Sequence, residues 1–261
     1  MTQTPAESVS FRTDGGIAWI TLNRPARRNA LDDRLLVDLT TALERAEADP
    51  AIRVIVIDAE GADFCAGADL EQTIGNVTTA GPIENLADAA RLGRLFVTIR
   101  RLTKVVIAAV QGRALAGGAG LALVCDVVLA SETAQFGFPE VQHGLVPAMV
   151  GAILRRLAGE RVAFELLIRG EPIAAPVAEQ RGLVTRVLPD GELQGGVERY
   201  ARDLAALSAA ALQLTKRLFY GQDGLSFEEG IGRGAEVNVL ARSTPEARQG
   251  MQRFLDRRRR D

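Results

Sequence analysis

Strand-like and helix-like runs alternate along this chain of 261 residues until shortly before Leu193, and beyond that point the strand-like runs stop. Ile17-Ala18-Trp19-Ile20-Thr21-Leu22 reads as a strand; a Gly15-Gly16 turn precedes it, with Val9-Ser10-Phe11 before the turn. A helix follows from Asp32, an N-cap residue. It places Leu35, Leu36, Leu39, Leu43 and Ala46 on one face and stops at Asp49-Pro50. Further strands are read at Val54–Ile57, Val105–Val110, Val127–Ala130 and Val184–Val187. Helices are read at Leu86–Leu102, Gly117–Cys125, Met149–Ala158 and Arg161–Arg169. The segment from Thr73 to Pro82, with Gly75, Thr78, Thr79 and Gly81, is expected to be a mobile loop. Leu193–Leu207, Ala209–Tyr220, Phe227–Leu240 and Pro245–Arg258 read as four consecutive helices. Alternation first and helices only afterwards predicts an α/β core over residues 1–192, carrying a helical region over 193–261.

The bulk properties narrow the classes of function. Apolar residues make up 47% and charged residues 25%, the balance of a soluble domain with a sizeable core. A net charge of −2 gives no global reason to bind nucleic acid or an anionic membrane, and neither is expected as a partner. The start, Met1 to Glu7, has neither basic residues nor an apolar stretch, so no signal peptide is expected. The uncharged run Ala114–Cys125 is shorter than the roughly 18 residues of a membrane span. Cys65 and Cys125 are too few for a disulfide framework, so a reducing cytoplasm is the expected location. With His143 as the single histidine there is no His/Cys cluster, and no metal site is expected. The run Arg257–Arg260 reads as the solvated end of the last helix, complementing its dipole.

Two segments carry chemistry. Asp63-Phe64-Cys65-Ala66-Gly67-Ala68-Asp69-Leu70 and Gly112-Arg113-Ala114-Leu115-Ala116-Gly117-Gly118-Ala119-Gly120-Leu121 each follow a strand-like run and present small residues where it ends. Small residues let a ligand touch the backbone, and two N–H groups converging on one point stabilise an oxyanion. In their order and separation the pair resembles the crotonase family, the enoyl-CoA hydratase/isomerase superfamily.

That resemblance implies a spiral of ββα turns with a helical C-terminal region that makes a trimer or a hexamer. It implies an acyl-CoA thioester as substrate, no cofactor beyond the coenzyme A carried by that substrate, and an enolate held by the Ala68 and Gly117 amides. Phe138-Pro139-Glu140-Val141, followed by Gly144-Leu145-Val146-Pro147-Ala148, matches the family segment with a catalytic glutamate. Glu140 is therefore expected to be the acid/base, with burial raising its pKa to suit proton exchange with carbon. Leu22-Asn23-Arg24-Pro25, then Asn29-Ala30-Leu31, resembles the segment at the coenzyme A nucleotide. Arg27 and Arg28 in its middle are candidates for the phosphates or the adenine. Ala66, Asp69 and Leu70 match positions around adenine and pantetheine, with Asp69 expected chiefly to order the loop. His143, three residues after Glu140, is a candidate for the pocket wall, and Cys65 reads as a packing residue.

One departure matters. Hydratases of the best-known kind carry a second glutamate where this chain has Gly120. A single carboxylate serves hydration, which is the expected activity, and equally serves a Δ3/Δ2 double-bond shift. A non-catalytic acyl-CoA-binding protein is the further alternative. The missing side chain at 120 is also expected to leave room for a branched or bulky acyl group.

Overall fold

The computed structural model describes residues 7–79 and 81–258. The strands are β1 (Val9–Asp14), β2 (Ile17–Leu22), β3 (Val54–Ala59), β4 (Val105–Val110), β5 (Arg113–Leu115), β6 (Val127–Ser131), β7 (Gln135–Gly137), β8 (Ile173–Ala174) and β9 (Arg186–Leu188). The helices of the α/β part are α1 (Asp33–Ala48), α2 (Leu70–Thr79), α3 (Pro82–Arg101), α4 (Gly117–Leu123), α5 (Ala148–Arg169) and α6 (Ala175–Gln180). The helical region holds α7 (Leu193–Ala205), α8 (Ala209–Gly221), α9 (Phe227–Arg242) and α10 (Pro245–Arg258).

The main sheet runs β1-β2-β3-β4-β6-β9. Only the β1–β2 hairpin is antiparallel; the parallel pairs align Ile17 with Val54, Val54 with Val105, and Ile107 with Val127. A small second sheet, β5-β7-β8, lies beyond the ends of these strands. The chain therefore repeats one turn: a main-sheet strand, a short piece in the second layer, then a helix. β4–β5–α4 and β6–β7–α5 are two such turns. Strand alternation divides the apolar residues between two cores. Ala18, Ile20, Ile55, Ile57, Val106 and Ala108 pack with α1, α3 and α4. Ile17, Trp19, Val54, Val56, Ile107 and Leu129 pack with Leu193, Val197 and Ala201 of α7. The first helix of the C-terminal region thus covers the far face of the sheet.

The Asp32 carboxylate caps α1, accepting from Leu35 N at 2.8 Å. The loop expected over Thr73–Pro82 is in large part helix α2. Asp69 begins it, its carbonyl accepting from Thr73 N at 2.9 Å, and Thr78 and Thr79 hydroxyls bond back to carbonyls one turn earlier. The helix forms although threonine and glycine are poor helix formers. The two helices read over 149–169 are α5, interrupted at Gly159 (φ +75°, ψ 170°), a left-handed position that glycine accepts. The strands β5, β7 and β8 are two or three residues long, too short to show a period in sequence. No helix among the described residues is long and apolar enough to cross a membrane.

The helical region is pinned to the sheet through a buried ammonium. Lys216 of α8 donates to Asp126 Oδ2 at 2.7 Å and to the carbonyls of Lys104 and Ile99 at 2.9 and 3.2 Å. The same carboxylate oxygen accepts from Val106 N, at the start of β4, at 2.7 Å. Removing the cation strands a buried carboxylate. Lys216→Met is expected to lose about 3–5 kcal/mol of stability in urea unfolding; an unchanged midpoint would contradict this anchoring.

Candidate active site

The two small-residue segments meet because each leaves the C-terminal end of a neighbouring parallel strand, β3 and β4. They then run side by side as a short parallel ladder. Phe64 N donates to Gln111 O at 3.0 Å, Cys65 N to Arg113 O at 3.1 Å, and Leu115 N to Cys65 O at 3.0 Å. Asp63 locks the ladder, accepting from Arg113 N, Nε and Nη2 at 3.0, 2.8 and 2.8 Å. The guanidinium holds the Asp63 carboxyl below the usual aspartate range, despite partial burial that opposes it.

At the end of the ladder the backbone geometry is demanding. Gly67 has φ +92°, and a Cβ there would lie 2.9 Å from Leu115 O and 3.5 Å from Gly117 N. Only glycine permits so close an approach of the two segments. Ala116 holds φ +49° and ψ −123°, a conformation alanine rarely adopts, and its amide is fixed by Gly137 O at 2.8 Å. It turns the chain so that Gly117 opens α4. Ala68 is held between two bonds to Leu31: Leu31 N donates to Gly67 O at 2.8 Å, and Asp69 N donates to Leu31 O at 3.0 Å. The Ala68 and Gly117 N–H groups find no acceptor among the described residues. The structure thus brings together the two segments carrying the two predicted oxyanion donors, with both amides free to bind an oxygen.

Glu140 sits in a single 3-10 turn, Pro139–His143, between β7 and α5. The turn closes at Gly144 (φ +72°), and Leu145 N donates to Glu140 O at 2.9 Å. Its Oε2 is buried with no hydrogen-bond partner among the described residues. Desolvation pushes its pKa above the ordinary glutamate value of 4.5. Structural carboxylates are paired; an unpaired one in a half-buried turn is poised to exchange a proton. His143 lies on the same turn but is exposed. Cys65 is fully buried, with its thiol pushed up to about 12 by desolvation, as expected of a packing residue rather than a nucleophile.

Gly120 is buried, and a Cβ there would lie 2.7 Å from Phe96 Cζ and 2.8 Å from Val150 Cγ1. The room that the missing side chain was expected to leave for a bulky acyl group is taken by these two residues. Nothing in the local sequence announced it, because Phe96 and Val150 come from α3 and α5.

The Arg24–Leu31 segment is ordered from within. Asn29, fully buried at φ +53°, donates from Nδ2 to the carbonyls of Glu60 and Asp63, both at 2.9 Å, while its Oδ1 accepts from Arg24 N at 2.8 Å. Arg24, assigned no individual role from sequence, bridges Asp32 at 2.8 Å and Asp69 at 3.4 Å. Asp69 is nearly buried and also accepts from Gln72 N, so it orders the loop as expected. Arg27 pairs with Glu71 and reaches Asp69 at 3.9 Å; Arg28 is exposed in a left-handed conformation, its carbonyl accepting from Ala66 N at 3.0 Å. Ala66 is half-buried, and Leu70 is exposed at the start of α2. A cleft of about 500 Å³ between α3 and α8, lined by Arg100, Lys216 and Tyr220 among others, holds none of these residues.

The strand-tip loops thus offer two free amides, groups of the kind that can hold an oxyanion, and the Pro139–His143 turn carries an unpartnered buried carboxylate oxygen. The sequence pattern of the family described as Enoyl-CoA hydratase/isomerase matches residues 12–261. The 2,3-dehydroadipyl-CoA hydratase of Escherichia coli is 36% identical over 92% of this chain and 92% of its own. A Thermus thermophilus relative whose name also refers to enoyl-CoA hydratase is 38% identical over 94% of this chain and 96% of its own. The solved enoyl-CoA hydratase of Mycobacterium smegmatis superposes with a TM-score of 0.92 at 31% identity, covering 96% of each chain. The chain belongs to the enoyl-CoA hydratase/isomerase family and has the crotonase fold.

The raised Glu140 pKa has a consequence for stability. In the folded protein the carboxyl binds its proton more tightly than in the unfolded chain, so stability falls as pH rises through the interval between the two values. That loss is complete above the raised folded value. Glu140→Gln is therefore expected to melt higher than the parent at pH 7, and the gap should close as pH falls below about 4, the range of an unfolded glutamate. A variant that melts lower at pH 7 would show that the carboxylate has a stabilising partner.

Proposed function

We propose that this protein hydrates 2-enoyl-CoA thioesters, using Glu140 as its single acid/base. The unpartnered, buried Oε2 of Glu140 is the observation that carries the reading. The thioester oxygen accepts from the Ala68 and Gly117 amides. Glu140 removes a proton from water as its oxygen bonds to C3, and the electron pair of the C2–C3 double bond moves to the thioester oxygen as an enolate. Glu140 then returns that proton to C2, giving the 3-hydroxyacyl thioester. One proton is taken and one returned, so a single carboxylate completes the cycle, and the scheme uses no cofactor beyond the coenzyme A of the substrate. Each amide donor contributes about 2.7–4 kcal/mol to stabilising the enolate.

The nucleotide end of coenzyme A is assigned to the loop ordered by Asn29, Arg24 and Asp69, with Ala66 and Leu70 beside it. Of the two candidate cations, Arg28 has no ion pair among the described residues, whereas Arg27 must exchange Glu71 for a phosphate. His143, exposed at the rim, is assigned a contact with substrate and no proton-transfer role.

Glu140→Gln should lower turnover by about 10²–10⁴-fold while leaving acyl-CoA affinity within several-fold. In the parent enzyme the acidic limb of kcat/KM should fall above 4.5, since the base works only when ionised. Near-parental turnover by the variant would remove Glu140 from the mechanism. Product analysis separates the alternatives. Hydration yields 3-hydroxyacyl-CoA from 2-enoyl-CoA; an isomerase would instead move the double bond of 3-enoyl-CoA. A binding protein would turn over neither.

The same reading includes assembly. Phe227, Ile231 and Leu240 of α9 and Phe254 and Leu255 of α10 are each about half exposed or more, an apolar surface the single chain does not bury. A trimer or hexamer is expected by light scattering at micromolar concentration, and a monomer would contradict it.

A further inference from the structure

We infer that Phe96 and Val150 close the acyl side of the site and limit it to short, unbranched acyl groups; this rests on the enoyl-thioester reading above. Helices α3 and α4 lie against each other in register. A Cβ at Gly117 would lie 2.9 Å from Leu92, and one at Gly120 would lie 2.7 Å from Phe96, one turn further along both helices. Gly120 is about 4.5 Å along the helix axis from Gly117, whose amide receives the thioester oxygen. Within that single turn the Phe96 ring comes across the face of α4. Val150 meets Gly120 from α5, three residues after the Pro147 that ends the Glu140 turn's connection.

The closure is well packed. Phe96 and Val150 are 5% and 3% exposed, and Leu154, one turn beyond Val150, is fully buried. An acyl chain directed along α4 therefore meets filled volume after a few carbons. Gly120 is small because two large side chains converge on it, and its lack of a Cβ leaves no cavity. Selection is steric, set by residues far apart in sequence that touch at one glycine.

The experiment compares four-carbon and eight-carbon ligands in the parent, Phe96→Ala and Val150→Ala, with Phe96→Leu as the conservative variant. Two quantities are read: kcat/KM for the 2-enoyl thioesters, and Kd by calorimetry for the saturated butanoyl- and octanoyl-CoA. Opening the wall should raise the eight-carbon to four-carbon ratio of kcat/KM, and lower the corresponding ratio of Kd, by about tenfold or more, the usual effect of methylenes gaining room in an apolar pocket. Phe96→Leu should shift it less. Val150→Ala removes less volume and serves if Phe96→Ala does not fold. An unchanged ratio in the folded variants overturns the inference, even where the parent is an active hydratase. A shifted Kd ratio in a protein that hydrates no 2-enoyl thioester would support the closure while overturning the functional reading.

Discussion

The bidentate clamp of Arg113 on Asp63, with the Arg113 amide on the same carboxylate, fixes the spacing on which the site depends. Parallel strands deliver both loops to one edge of the sheet, but delivery alone leaves the tips of two loops free to splay. The clamp and the three-rung ladder behind it hold the loops in register up to Leu115, so that Gly67 and Ala116 make their sharp turns at a defined place. Strain at Ala116, of the order of 1–3 kcal/mol for such a conformation, is sustained by this framework and aims the Gly117 amide. The oxyanion donors are then preorganised, which is what makes backbone amides effective: they need no reorganisation as charge develops.

Polarity divides the site cleanly. Around the Arg24–Leu31 segment the polar groups Asn29, Arg24 and Asp69 are tied: Asn29 to three backbone groups, Arg24 and Asp69 to each other and to their neighbours. Glu140 Oε2, by contrast, is buried with no partner among the described residues. Desolvation keeps the carboxylate basic, and raised basicity suits the proposed role of taking a proton from water and returning it to carbon. On the proposed reading, the tied segment positions the thioester and the unpartnered carboxylate does the chemistry.

How much of this could be read from sequence depends on where the determining contacts lie. The strand–helix alternation, the Asp32 cap and the four C-terminal helices follow from local periodicity and capping, and each stands where expected. Short motifs carry Glu140 and the Ala68/Gly117 pair as candidates, and the ladder between the two small-residue segments gives that pairing its physical basis. Three features were not legible in this way. The two- and three-residue strands of the second sheet are too short to show a period. Helix α2 forms although its threonines and glycine have poor helix propensity. The filling of the space beside Gly120 depends on Phe96 and Val150, residues from two other helices. Arg24 was hidden for a related reason: its partners, Asp32 and Asp69, are far apart in the chain.

The central claim is that the Ala68 and Gly117 amides polarise a thioester carbonyl. Isotope-edited infrared spectroscopy of a bound saturated acyl-CoA, carrying ¹³C at the thioester carbon, measures this without turnover. Two amide donors in a site with less competing water should draw the C=O stretch to lower frequency than the same thioester shows in water. A stretch at or above the aqueous frequency would mean that the two amides do not hold the oxygen, and the mechanism built on them would fail.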